Sequence, residues 1–127
     1  MDRLLVKAHC AQDSANRLLG AHDFDGAVSR AYYAMLFGAR WALAVVAPSE
    51  DPPKRHASVI RNFSRILVLQ HGVDASHGRA LNIAMTERLI ADYEPEAVEA
   101  ESAQTVLADM ARFLAAIERL QRGDQRP

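Results

Sequence analysis

Apolar residues fall into five blocks, and within each they recur at the three-to-four-residue spacing of one helix face. The first block covers about 2–19: Leu4, Ala8, Ala11, Ala15 and Leu18 align, and Gly20 is placed to end the helix. Asp23 stands where it can cap a second helix over about 24–46, which Pro48 stops. The loop "PSEDPP" (48–53) leads to a third helix over about 54–70, with Val59, Ile60, Phe63, Ile66 and Leu67 on its apolar side and "HGVD" (71–74) closing it. A fourth helix spans about 75–92, with Leu81, Met85 and Leu89 on one stripe. "DYEP" (92–95) interrupts the pattern. Pro95 then suits the first turn of a fifth helix, and Glu94, Glu96 and Glu99 suit its positive end. That helix carries the cleanest stripe: Ala103, Val106, Met110, Phe113, Ile117 and Leu120. Gly123 ends it, leaving 123–127 as a frayed tail. Without a repeat or internal boundary, residues 1–122 read as one all-α domain, an antiparallel bundle of about five helices.

The second helix is apolar nearly all round. Ala27, Ala31, Ala34, Gly38 and Ala42 form a narrow stripe of small residues; Tyr32, Leu36, Ala39 and Leu43 lie opposite; Phe37 and Trp41 make a third patch. Such a helix is buried on several sides, at the centre of the bundle or also against a second subunit, and a homodimer is expected. Its polar start, "SRAYY", is then unusual. Arg30 in apolar surroundings needs an ion-pair partner, solvent, or a phosphate or carboxylate ligand. Tyr32 and Tyr33 point about 100° apart, so one is expected in the core with its hydroxyl bonded.

Charge adds an asymmetry rather than a class. The net charge is −1, yet residues 1–79 carry ten Lys/Arg against seven acids, while 80–127 carry five against nine. Neither a nucleic-acid binder nor a membrane-surface protein is implied by the total. The single cysteine, Cys10, excludes an internal disulfide and fits a reducing, cytoplasmic setting. No apolar run reaches membrane-spanning length. His9, Cys10, His22, His71 and His77 lack metal-ligand spacing, and no glycine-rich phosphate loop or nucleophile elbow occurs, so no metal and no cofactor are expected.

Three stretches carry a resemblance. "SRAYYAMLFGARWAL" (29–43) resembles the S-[RK]-x-Y-Y-A signature of HEPN-domain proteins. "PPKRHASVIRNF" (52–63) resembles the lysine–histidine start of the third helix in the small stand-alone HEPN group often encoded beside a minimal nucleotidyltransferase. "ERLIADYEP" (87–95) resembles that group's R-x-x-A-D-Y segment. The resemblance implies an all-α, usually dimeric bundle with a role in toxin–antitoxin, defence or RNA-processing systems. It also implies a metal-independent ribonuclease motif, an arginine followed after four to six residues by a histidine. The chain departs from that motif: Arg88 is present, but Asp92 and Tyr93 stand where the histidine belongs. A carboxylate titrates near 4, so it rarely donates a proton at neutral pH. Arg65 and His71 fit the spacing elsewhere.

The candidate catalytic residues are thus His56, Arg88 and Asp92, with Arg65 and His71 as a weaker pair. Arg30, Tyr33, Lys54, Arg61, Arg65 and Tyr93 are candidates for holding RNA or a nucleotide. Lys54, Ser58, Arg61 and Arg65 share one helix face, a stripe that could follow phosphates but has no aromatic for stacking. Asp92 either pairs with Arg88 one turn away or reaches Arg30 in a buried network with a tyrosine hydroxyl. Two functions remain open. One is a HEPN-type component of a toxin–antitoxin or defence-like module that binds a nucleotidyltransferase-type partner and RNA or nucleotide. The other is an endoribonuclease toxin acting as a dimer.

Overall fold

The computed structural model describes residues 2–47 and 55–124, with side chains as far as Leu120. The protein is an all-α bundle: α1 (Arg3–Gly20), α2 (Phe24–Val46), α3 (His56–Asn62), α4 (Ala75–Tyr93) and α5 (Ala100–Asp124). The end of α3 continues without a break as a π-helical stretch, Phe63–Val68. Aspartates start three of the helices. Asp2 accepts from the Leu4 N–H at 2.8 Å, Asp23 from Gly26 at 2.9 Å and Asp74 from Ser76 at 2.8 Å, each satisfying a donor left over at a helix start.

Helix α2 contacts every other helix. Ala27, Ala31, Ala34, Ala39 and Ala42 on α2, and Ala8, Ala11 and Ala15 on α1, are fully buried. Gly38 is the tightest point: a Cβ there would lie 2.7 Å from Ile117 Cδ1 and 2.8 Å from Leu114 Cδ2. Small residues on α2 therefore set how closely α5 approaches. The expected stripe of α5 is in the core, with Ala103, Val106, Met110, Phe113 and Ile117 at 2% exposure or less. The Phe63 ring stacks on Phe113 with centroids 5.0 Å apart.

Gly20 is the last residue of α1, as expected, and His22, at φ 63°, takes the left-handed position beyond it. Four details depart from the sequence reading. The third helix is not regular: its last turns widen, with Leu69 N–H reaching the Ser64 carbonyl and His71 N–H reaching that of Ile66. Gly72, at φ 72°, then turns the chain so that Val73 N–H donates to the Leu67 carbonyl. On α4, Leu89 is 40% exposed, and the buried stripe is Ala80, Leu81 and Ala84. Finally, Pro95 is not in the first turn of α5. Proline disfavours a helical conformation in the residue before it, and Glu94 is extended. Val98, buried, donates its N–H to the Asp25 carboxylate at 2.8 Å, and the linker stays non-helical until Ala100. At the far end α5 passes Gly123 and reaches Asp124; residues 125–127 of the expected tail lie outside the described residues.

Gly38→Leu is expected to lower unfolding free energy by about 1–3 kcal/mol through overpacking against Ile117 and Leu114. Gly20→Ala, where nothing lies within 4 Å of the added Cβ, is expected to raise it by up to about 1 kcal/mol. Urea-unfolding midpoints of the two variants should move in opposite directions.

Candidate functional site

Three helices bring a polar cluster together. The first half of α2 supplies Tyr32 and Tyr33, the first residue of α3 is His56, and the last turns of α4 supply Arg88 and Asp92. Tyr32 and Tyr33 meet edge to face at 5.3 Å, and the His56 ring lies 5.5 Å from Tyr32 and 5.7 Å from Tyr33. Arg88 crosses this aromatic group, its guanidinium 5.6 Å from the Tyr32 ring and 5.4 Å from the Tyr33 ring.

Arg88 has three kinds of partner. Its Nη2 donates to the Tyr33 hydroxyl at 3.0 Å. Its Nε lies 2.8 Å from Asp92 Oδ2, an ion pair formed one helical turn along α4 rather than a well-aimed hydrogen bond. The tyrosine faces complete its surroundings. Its side chain is only 15% exposed against 32% for Asp92, so the carboxylate has access to water and the arginine has little.

This corrects the expected network. The tyrosine-bonded arginine is Arg88, not Arg30, and Asp92 pairs with Arg88. Arg30 instead sits 5.8 Å from the Tyr33 ring, with no ion pair among the described residues. The tyrosine expectation held in part: Tyr32 is the core tyrosine, fully buried, but its hydroxyl has no partner among the described residues. Burial pushes the Tyr32 phenol up to about 12.

Arg40 belongs here and was missed. Burial, then the Arg88 and Arg40 cations, hold the His56 imidazole below its usual value, so it is neutral at neutral pH. Arg40 itself is half-buried, with an Nε that has no partner among the described residues. Its position could have revealed it, because residues 33, 37 and 40 fall on one helix line. A neutral imidazole that feels two guanidinium charges keeps a free ring-nitrogen lone pair near groups of the kind that bind phosphate.

The other candidates lie elsewhere. Tyr93 is 73% exposed. Arg61 and Arg65 stay on the exposed face of α3, bonded to Ser58 and Asn62, and Lys54 lies outside the described residues. His71 lines a different cavity, with His77 and Arg119, so the structure does not pair it with Arg65. No helix among the described residues is long and apolar enough to cross a membrane.

An all-α bundle whose signature tyrosines hold the arginine of its fourth helix defines a recognisable class. The sequence model of the HEPN domain matches residues 1–120, and the chain belongs to the HEPN family. Two proteins of Methanocaldococcus jannaschii are similar to it. "Putative toxin MJ0142" is 28% identical over 74% of this chain, and "Putative toxin MJ0605" is 29% identical over 73%. The matched segments span 62% and 67% of those proteins' own lengths.

Tyr33→Phe is expected to cost about 1–2 kcal/mol, since it removes the acceptor of a hydrogen bond from a charged group. Tyr32→Phe is expected to be neutral or to gain up to about 1 kcal/mol, because the lost hydroxyl has no partner among the described residues. Chemical denaturation of both variants at neutral pH checks the contrast.

Stability should also depend on pH. Burial comes first among the causes that depress His77, as it does for His56. Both imidazoles take up protons more readily once unfolded. Their contribution is therefore full above the ordinary imidazole value and is lost as pH falls through the lower folded values. Unfolding midpoints should drop between about pH 7 and pH 5, and the double variant His56→Gln/His77→Gln should flatten the drop.

Proposed function

We propose that this protein is the HEPN-type component of a toxin–antitoxin or defence-like module, acting by binding a nucleotidyltransferase-type partner and an RNA or nucleotide rather than by cutting. Family membership and the toxin names of its relatives support the toxin-like module. The observation that carries the non-cleaving part is the state of Arg88. Its charge is matched by Asp92 at 2.8 Å and its Nη2 is occupied by Tyr33 at 3.0 Å. A cleavage site of the kind the resemblance implies needs that arginine free for phosphate and a histidine a few residues beyond it. Tyr93, Glu94 and Pro95 occupy the positions that spacing reaches, and none of them is a histidine that could protonate a leaving ribose oxygen. Arg30, Arg40 and His56, around the aromatic group, are the residues available to a phosphate-bearing ligand. In this reading the chain works as a homodimer in the cytoplasm and needs no metal.

A second reading, the metal-independent endoribonuclease, is favoured by one observation: His56, neutral and close enough to Arg88 and Arg40 to feel both charges. Incubating the purified protein with total RNA in EDTA separates the two. Intact RNA at high protein concentration is the expected result. Cleavage that disappears in His56→Ala or Arg88→Ala would overturn the proposal in favour of the second reading.

A further inference from the structure

Away from the tyrosine–arginine cluster, two hollows of about 380 and 280 Å³ adjoin along the line where α3 and its π-helical continuation meet α4. They share Ser64 and Asn82 and so form one groove. Its floor is apolar, Ile60 and Met85 in one hollow and Val68 in the other, with Leu69 at its edge. Leu69 is 79% exposed, more than any other large apolar side chain described. At Gly78 the two helical segments approach closely, since Ser64 Oγ would stand 3.1 Å from an added Cβ.

The rim is cationic. Arg61 and Arg79 line the hollows, Arg65 follows one turn after Arg61, and among the described residues no acidic side chain lines either hollow. Arg61 and Arg65 are held by neutral partners, Ser58 Oγ at 3.4 Å and Asn62 Oδ1 at 2.9 Å. Their geometry is thus restrained, while no carboxylate among the described residues forms an ion pair with them. The other two arginines with described hydrogen bonds, Arg88 and Arg112, each meet a carboxylate. The carboxylate near Arg79, Asp74, is engaged in capping α4 through Ser76.

We propose that this groove docks an acidic amphipathic segment of a partner protein, apolar side chains on the Ile60–Val68–Met85 floor and against the exposed Leu69, and carboxylates against Arg61, Arg65 and Arg79. Pre-positioned guanidiniums favour carboxylates in fixed geometry, and an exposed leucine beside them gives an apolar anchor its contact. Single-stranded RNA fits less well. Phosphates would use the arginines but waste the apolar floor, and no aromatic side chain lines the groove for base stacking. A second copy of the chain fits less well too. Its matching acidic surface, Glu87, Glu99 and Glu101 around Ile83 and Val106, is itself a hollow, and two hollows do not interlock. The inference rests on the partner-binding half of the proposed function and names the chemistry of the contact.

The test uses the full chain and a fluorescein-labelled helical peptide of about four turns, with leucines along one face and glutamates elsewhere. Fluorescence anisotropy should show binding that weakens with salt and is at least about tenfold tighter than that of the same peptide with lysines for glutamates. Arg61→Glu/Arg79→Glu and, separately, Leu69→Asp should each weaken it about tenfold or more, while Arg112→Glu leaves it unchanged. Thermal melts check that these surface variants fold. Absence of binding, equal binding of the lysine peptide, or indifference to the groove variants would overturn the proposal. So would a labelled oligouridine that binds in the peptide's place, or self-association that the groove variants abolish. The probe contains no nucleotidyltransferase, so its failure leaves partner binding as such to be judged by co-purification with a complete nucleotidyltransferase.

Discussion

The close approach of α5 to α2 at Gly38 sets the geometry of the rest. Where a Cβ would collide with Ile117 and Leu114, the missing side chain lets two long helices pack nearly backbone to side chain. The buried alanines of α1 and α2 do the same on another flank. With α2 filled in from several sides, its remaining face near Tyr33 and Arg40 is where α3 and α4 converge. The polar cluster stands there because helix packing leaves a place that small apolar residues do not close.

Within that place, Arg88 decides the chemistry. A guanidinium with little access to water must be matched in charge and hydrogen-bonded, since an unmatched one costs far more than the pair itself contributes. Asp92 supplies the charge and Tyr33 an acceptor. The same two contacts match its charge and occupy one of its donors. His56 is neutral for the complementary reason: two cations and burial leave no favourable place for a third positive charge.

How much was legible follows from which forces are local. The buried stripe of α5, the aspartate at the start of α2 and the pairing of Arg88 with Asp92 one turn away all depend on residues a few positions apart, and they were readable or anticipated. Leu89 was misread because a helical stripe shows only which residues share a side, and α4 carries apolar residues on its outer side as well. The late start of α5 was invisible because the Val98–Asp25 bond joins residues 73 positions apart. Arg40 lay on a readable helix line with Tyr33, but nothing local says that His56 would come to stand beside it.

The amino-acid sequence by itself determined the five helical segments, the all-α class, the central and nearly all-round apolar α2, and the resemblance that family membership then established. Helical periodicity and capping are short-range, so the chain alone suffices for them. Only the tertiary structure decided that Arg88 rather than Arg30 holds the tyrosine, that Tyr32 is buried with an unpartnered hydroxyl among the described residues, and that His56 feels the charges of two arginines. Each of these depends on how helices distant in sequence turn their faces toward one another. That is set by the summed packing of many small residues and is not written at any one position.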